Sequence, residues 1–263
     1  MKYFIFLFVA LSLFSCKKET FPENNALINK FDIASVEKGK TYSIIINLPD
    51  NYLTSTEYYP TIYVLDADQN QGLVADQCKK ISAGFNTQNV IVVGIGYGDS
   101  RNIDYTPTKT DYGEGGSDAF LNFIKKELIP RIQQDFRADT LRKNRVILGH
   151  SFGGLFGAFA LTKHNEVFGN YLLLSPSLFY DNSVILQYEQ QSRPAIKDNS
   201  QLVFIGAGGM EGALLPANEL LYQRLVRFYL NTRSTFNIVG GRGHNTSKNT
   251  DIENAISFYF KNR

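Results

Sequence analysis

Residues 145–154 read Arg-Val-Ile-Leu-Gly-His-Ser-Phe-Gly-Gly, and they are the most informative part of the chain. The apolar run at 146–148 is typical of a buried parallel strand. The apolar and small residues at 155–161 are typical of a helix that packs against a sheet. Between them, glycines leave room for a sharp turn from strand to helix. A strand, a tight turn and a helix around Gly-x-Ser-x-Gly are the context of a nucleophile elbow, so the stretch predicts a projecting, reactive hydroxyl at Ser151.

The composition and the order of the segments predict one globular α/β domain. The 263 residues are 43% hydrophobic and 20% charged, and the net charge of +2 indicates no nucleic-acid partner. Strand-like runs at about 41–48, 59–65, 89–94, 169–174, 201–206 and 235–239 alternate with helical segments. One such helix is expected to begin at Ser117 and to stop near Pro130. Alternation of this kind predicts a mostly parallel central sheet with helices on both faces.

The N-terminal residues are typical of an exported bacterial protein. One early lysine precedes a nearly unbroken apolar stretch, so residues 1–15 are predicted to be a lipoprotein signal peptide. The stretch ends in a lipobox-like Leu-Phe-Ser-Cys, which predicts cleavage before Cys16 and lipidation of that residue. Residues 16–30 are then a tether and 31–263 the single domain, anchored in the cell envelope and facing the periplasm or the cell surface. Plain secretion with cleavage elsewhere is the alternative.

A serine hydroxyl needs a base to act as a nucleophile near neutral pH. The chain has only three histidines. His150 lies inside the elbow, where its backbone position should point its side chain away from the reacting hydroxyl. His164 follows the next helix and should lie at the far end of the sheet. His244 lies in a loop after the last strand, at the edge where open α/β sheets bind their ligands, so it is the predicted base.

The third residue of a triad must orient the imidazole. In the order serine, acid, histidine, Glu211 follows a buried strand directly and lies beside two glycines. Asp181 and Asp198 are alternatives, but neither closely follows such a strand, and Glu219 should lie inside the next helix. The predicted acid is therefore Glu211.

Other residues are candidates for stabilising the reacting group or for binding the substrate. Two backbone N–H groups should bind a developing oxyanion: that of Phe152, after the nucleophile, and that of Asp68, with Ala67 as the alternative. Arg101 is a candidate for contact with an anionic or catecholate substrate, and an ion pair with Asp104 or a neighbouring loop is its alternative role. The three histidines are scattered without ligand spacing, so no metal site is expected.

The chain resembles the putative-esterase family of α/β-hydrolases, which includes enterobactin and salmochelin trilactone esterases and feruloyl esterases. The matching stretches lie in the family's order, at 59–66, 101–107, 115–130, 149–154 and 175–181. The resemblance implies an α/β-hydrolase fold and hydrolysis of carboxylic esters through an acyl-enzyme, with Ser151, His244 and Glu211 in the triad positions. It implies no cofactor. Where the family commonly has tryptophan, this chain has Phe179 and Tyr180, and Tyr180 is a candidate substrate contact.

The substrate class and two other functions stay open at this stage. The candidate substrates are siderophore trilactones, feruloyl or acetyl esters on polysaccharides, and small acyl esters. A surface lipoprotein that binds a ligand on an inactive hydrolase scaffold is one alternative function, and acyl transfer to an alcohol is another.

Overall fold

The computed structural model describes residues 27–98 and 100–263, in which an eight-stranded sheet forms the centre of the molecule. The strand order is β1-β2-β4-β3-β7-β8-β9-β10. The strands are β1 Ile28–Ala34, β2 Thr41–Asn47, β3 Thr61–Leu65, β4 Ile91–Ile95, β7 Arg145–His150, β8 Asn170–Leu174, β9 Gln201–Gly208 and β10 Thr232–Val239. A separate hairpin consists of β5 Lys109–Thr110 and β6 Gly113–Glu114.

Six neighbouring strands run parallel, in the order β4, β3, β7, β8, β9 and β10. At one edge β2 pairs antiparallel with β4, and β1 pairs antiparallel with β2. The carboxyl ends of parallel strands meet at one edge of a sheet, so the loops after β3, β7, β8, β9 and β10 lie close together. The mostly parallel α/β sheet predicted from the sequence is confirmed.

Helices cover both faces of the sheet. Side chains alternate between the faces along each strand, so a strand that is apolar throughout presents apolar side chains on both faces. On one face, α1 (Ala67–Gly84) and α8 (Lys248–Asn262) pack with their apolar residues on the strands. The opposite face is covered by α3 (Ser117–Phe123), α4 (Ile129–Asp135), α5 (Phe152–Lys163), α6 (Tyr180–Ile196) and α7 (Leu215–Phe228). A short helix, α2 (Arg101–Asp104), precedes the β5–β6 hairpin. Each face therefore has its own apolar core.

The structure corrects two of the predicted boundaries. The domain begins before residue 31, because β1 starts at Ile28 and pairs with β2, so residues 28–30 are not part of a tether. The helix that begins at Ser117 does not stop near Pro130. A π-helical turn, Ile124–Leu128, links α3 to α4, and Pro130 falls in the first turn of α4, where a missing N–H costs least.

Two features concern membrane-spanning helices and thiol chemistry. No helix of residues 27–98 and 100–263 is both long and apolar enough to cross a membrane. Cys78 of α1 is buried and unpaired, and burial raises the pKa of its thiol well above the usual range. The predicted signal peptide and Cys16 lie outside the described residues.

Candidate active site

Ser151 lies on a strained turn between β7 and α5. Its φ of +61° and ψ of −117° are unusual for a residue with a side chain, and they project the hydroxyl at the carboxyl end of the sheet. Hydrogen bonds hold the turn: the Ser151 N–H donates to the Leu174 carbonyl oxygen at 2.9 Å, and the Ser177 N–H donates to the Ser151 carbonyl oxygen at 3.2 Å. The predicted elbow is therefore present in strand, turn and helix.

Two of the elbow glycines are required by close packing. A Cβ at Gly149 would lie 2.4 Å from the backbone of Gly153, and one at Gly154 would lie 2.9 Å from Pro176. Both distances are too short for a side chain, because the turn folds the start of α5 back onto the end of β7. Glycine at these positions is thus a steric condition of the turn.

The structure brings Glu211 and His244 together. Four neighbouring strands, β7 to β10, are followed in turn by Ser151, Ser175, Glu211 and His244. The Nδ1 atom of His244 lies 3.1 Å from Oε2 of the buried Glu211. A carboxylate only accepts hydrogen bonds, so Nδ1 carries the proton and the Nε2 lone pair is left free.

Glu211 is held as a carboxylate although it is buried. Its Oε1 accepts hydrogen bonds from the Ser175 hydroxyl at 2.6 Å and from the Gly208 N–H at 2.5 Å. Burial by itself would raise the pKa of Glu211, but these two donors and His244 hold it below its ordinary value. A charged Glu211 can therefore orient the His244 ring and stabilise its protonated form.

The Ser151 hydroxyl and the His244 ring are not hydrogen-bonded to each other in this structure. The Ser151 Oγ atom lies 3.4 Å from the Ser177 Oγ atom instead. Hydrogen bonds of catalytic groups are often long without substrate and tighten in the complex. About a third of the His244 side chain is exposed, so the ring lies at the open edge of the sheet.

The two predicted oxyanion donors lie at the starts of helices that follow two adjacent strands, β3 and β7. Phe152 is the first residue of α5, and Asp68 is the second residue of α1, after Ala67. The first N–H groups of a helix have no partner within it. A Cβ placed at Gly153 would lie 3.4 Å from the Asp66 carboxylate and 3.5 Å from Leu65, so the start of α5 lies close to the end of β3, just before α1. The choice between Asp68 and Ala67 stays a prediction.

Arg101 is paired within the protein. Its guanidinium makes two hydrogen bonds to the carboxylate of Asp66, at 2.8 and 3.1 Å, and a third to the His150 carbonyl oxygen at 3.0 Å. Asp66 is buried in a left-handed conformation immediately before α1. Arg101 therefore links the start of α1 to the end of β7. Its predicted contact with substrate stays a prediction.

A cavity of about 430 Å³ lies beside the elbow. Its aromatic walls come from Tyr112 of the β5–β6 hairpin and from Phe152, Phe179 and Tyr180. The Tyr180 hydroxyl donates to the Thr108 carbonyl oxygen at 2.7 Å and accepts from the Thr110 hydroxyl at 2.9 Å, and the residue is almost fully buried. Phe179, half exposed, is the more accessible of the two.

Sequence reasoning missed several residues of this site. Ser175 and Ser177 were visible only as the end of a strand, and the partners of Glu211 could not be read from spacing. The interpretation that His150 points away from the reacting hydroxyl omitted its contact with the His244 loop, where its Nε2 atom lies 3.0 Å from the His244 carbonyl oxygen.

In the part of the chain that the structure describes, no three His, Cys, Asp or Glu side chains gather as they would around a metal ion.

Comparison with known proteins identifies the family. A family model described as "Putative esterase" matches residues 35–208. The chain belongs to this family. It is 28% identical over 254 residues to the ferri-bacillibactin esterase BesA of Bacillus subtilis, covering 86% of this chain and 87% of that one. It is 27% identical over 193 residues to the siderophore triacetylfusarinine C esterase of Aspergillus fumigatus, covering 66% and 65%.

A solved structure agrees with this assignment. The IroE-like serine hydrolase from Shewanella oneidensis superposes with a TM-score of 0.80 at 26% identity, covering 89% of this chain and 80% of that one. The predicted family and the α/β-hydrolase fold are confirmed, and the chain is a carboxylic-ester hydrolase.

Proposed function

We propose that the protein is a serine esterase that hydrolyses siderophore esters, with Ser151 as nucleophile, His244 as base and Glu211 as the orienting acid. One observation carries the proposal: at the edge where the strained elbow presents Ser151, a buried carboxylate holds the Nδ1–H of an imidazole at 3.1 Å. This leaves the imidazole lone pair on Nε2, which is the atom that a neighbouring hydroxyl would need.

The reaction follows from these groups. Ser151 Oγ attacks the ester carbonyl carbon while His244 Nε2 takes the hydroxyl proton. The oxyanion is bound by the N–H of Phe152 and by that of Asp68 or Ala67. His244 then gives its proton to the leaving alcohol, which leaves Ser151 acylated. Water attacks the acyl-enzyme with His244 again as base, and the acid is released as Ser151 recovers its proton.

The substrate proposal combines the relatives with the cavity. Both named relatives are siderophore esterases. A siderophore ester carries large substituents beside each ester bond, and the aromatic walls of Tyr112, Phe152 and Phe179 offer an apolar surface for one of them. Feruloyl or acetyl esters on polysaccharides are the competing substrates, and they belong in the same assay.

The first test measures labelling and turnover. We expect wild-type protein to hydrolyse p-nitrophenyl acetate and to be labelled once by a fluorophosphonate, with the adduct on the peptide that contains Ser151. Ser151→Ala should lose both, whereas Ser177→Ala, the neighbouring serine, should still be labelled. Wild-type protein that is neither labelled nor active would refute the proposal.

The second test identifies the substrate. Initial rates with enterobactin, ferric enterobactin, methyl ferulate and acetylated xylan, each at matched concentrations, should favour the siderophores. A higher kcat/KM for methyl ferulate or acetylated xylan would reassign the substrate without removing the esterase. Added methanol tests acyl transfer, because a transferase would form the methyl ester in preference to the free acid.

We further propose that Cys16 carries a lipid that anchors the protein in the bacterial envelope. The proposal rests on the apolar N-terminal stretch and the lipobox-like sequence. Full-length protein expressed in a bacterium should partition into the detergent phase of Triton X-114, and Cys16→Ser should move it to the aqueous phase. Cys78→Ser is the matched control, because a buried thiol of the domain should not affect partitioning.

A further inference from the structure

His150 makes a contact that the proposed reaction does not use. It is the last residue of β7, and its side chain is largely buried. Its Nε2 atom lies 3.0 Å from the backbone carbonyl oxygen of His244. The two imidazole rings also pack on each other, with centroids 4.7 Å apart and planes inclined by 38°. The residue before the nucleophile is thus in direct contact with the residue proposed as the base.

The chemistry of this contact fixes the state of the His150 ring. A carbonyl oxygen only accepts, so Nε2 of His150 carries a proton and donates it. Burial lowers the pKa of His150 to about 4; the hydrogen bond to the His244 backbone opposes this shift, whereas the charges of the His244 ring, Lys248 and Arg101 add to it. At neutral pH the ring is therefore uncharged. It can anchor His244 without placing a second positive charge beside the imidazolium that forms there.

The loop of His244 needs such an anchor. Three glycines, at 240, 241 and 243, precede this residue, and Gly241 has a φ of +67°. The Met210 N–H holds the Arg242 carbonyl oxygen at 2.9 Å, and Glu211 holds the His244 ring. The backbone of His244 itself is held by His150.

From this geometry we propose that His150 is a positioning residue, which holds the backbone of the base at a fixed distance from the nucleophile. Glu211 orients the His244 ring, and His150 places the residue that carries it. Because His150 and Ser151 are consecutive, the bond ties the base directly to the elbow. The inference rests on the proposed function.

The test compares variants that keep or remove the donor. His150→Gln can place an amide N–H near the position of Nε2, whereas His150→Phe keeps a ring and loses the donor. We expect His150→Phe to lower kcat for p-nitrophenyl acetate by roughly 10 to 100-fold, because misplacing a catalytic group by about 1 Å costs about that much. KM should change less than about threefold, and His150→Gln should recover most of the loss.

Two further readouts separate positioning from mere stability. The rate of fluorophosphonate labelling should fall by the same factor as kcat in His150→Phe. The wild-type pH profile should keep its shape in His150→Gln. The charged groups near the two histidines, namely Glu211, Lys248 and Arg101, are unchanged, and the His150 ring that the variant removes is uncharged at neutral pH. Equal kcat and labelling rates in wild type and His150→Phe would overturn the inference. They would leave the esterase intact.

One measurement is made on the wild-type protein, with His150→Gln serving only to assign the signal. Nitrogen NMR of the wild-type histidine rings should include a ring that stays neutral and protonated on Nε2 throughout pH 5.5 to 8, and this signal should be missing in His150→Gln. A His150 ring that carries its proton on Nδ1, or that titrates near pH 6.5, would contradict the proposed contact. If the wild type itself shows no turnover or labelling, it is the proposed function that fails.

Discussion

At the scale of single residues, Glu211 shows how much of the site could be foreseen. Its type, its place after a buried strand and its order between Ser151 and His244 sufficed to predict it. The donors that keep it charged could not be predicted, because Ser175 reaches it only through the pairing of β8 with β9 and the Gly208 N–H only through the turn that follows β9. Chain order therefore identifies candidate residue types, and strand pairing supplies their partners.

Glu211→Gln should reduce kcat for ester hydrolysis by roughly 10² to 10⁴-fold. An amide that donates toward Nδ1 favours the wrong imidazole tautomer and removes the charge that stabilises the imidazolium. Steady-state kinetics with p-nitrophenyl acetate measure the effect. Glu219→Gln, an exposed change of the same kind on α7, is the control and should leave kcat unchanged. Equal kcat in both variants would show that Glu211 does not support the base.

Asp251, in α8, is a second acidic residue with an unusual environment. It is fully buried, and its side-chain oxygens make no well-formed hydrogen bond among the described residues, although the Ser247 side chain lies close enough to favour the charged form in part. Burial raises its pKa to about 7, and the charge of Glu211 acts in the same direction. A folded pKa above the unfolded one means that its contribution to stability is full below about pH 4 and is lost as the pH rises toward 7.

Asp251→Asn should therefore gain stability relative to wild type as the pH rises. Between pH 5 and pH 8 the difference in free energy of unfolding should shift in favour of the variant by roughly 2 to 3 kcal/mol. Urea unfolding at several pH values measures this difference. Asp198→Asn, an exposed change, should show no such trend. A constant difference across the pH range would mean that Asp251 does not titrate there.

At the scale of secondary structure, the apolar runs predicted most strands, and the exceptions have physical causes. β1 alternates exposed and half-buried residues at the outer edge of the sheet, so its sequence lacks a continuous apolar run. The start of α6 was not foreseen either. Asp181, Asn182 and Ser183 all have positive φ there, and no glycine marks the turn. Tertiary contacts, such as the 2.7 Å hydrogen bond from Thr108 Oγ1 to Asp181, stabilise that conformation.

Gly149→Ala should disrupt the elbow. The added methyl group would meet the backbone of Gly153 at 2.4 Å, so α5 must move away from β7 and the Ser151 hydroxyl with it. We expect a loss of several kcal/mol in stability, or loss of soluble protein, together with loss of fluorophosphonate labelling. Thermal unfolding and labelling of the same preparation provide both readouts.

Gly72→Ala is the matched control for that substitution. Gly72 lies within α1, where a Cβ meets nothing within 4 Å, so alanine should stabilise the helix by roughly 0.5 to 1 kcal/mol. Labelling should be unchanged. An active, fully stable Gly149→Ala protein would contradict the steric account of the turn.

At the scale of the whole molecule, the sheet assembles the site from distant parts of the chain. Ser151, Glu211 and His244 follow β7, β9 and β10, which lie within four adjacent strands. This convergence was predictable from the rule that ligands bind at the carboxyl ends of parallel strands. The cavity was not predictable, because the β5–β6 hairpin and the start of α6 reach the elbow by packing that no local pattern encodes.

Phe179→Ala should impair esters with a large apolar group selectively. Loss of this half-exposed cavity wall should lower kcat/KM for enterobactin or methyl ferulate about 5 to 30-fold, and that for p-nitrophenyl acetate less than about threefold. Phe85→Ala, at the end of α1, removes a phenylalanine of similar exposure and should change neither value. An equal loss for both kinds of ester would show that the cavity does not bind the substituent.

The burial of Cys78 has a practical consequence for following this protein in solution. A thiol enclosed in the core and held protonated reacts slowly with maleimides. A cysteine introduced at the half-exposed position of Phe179 would then be the only reactive thiol in the described part of the chain. A fluorophore attached there would report arrival and departure of a ligand at the mouth of the cavity, with no need to remove the native residue first.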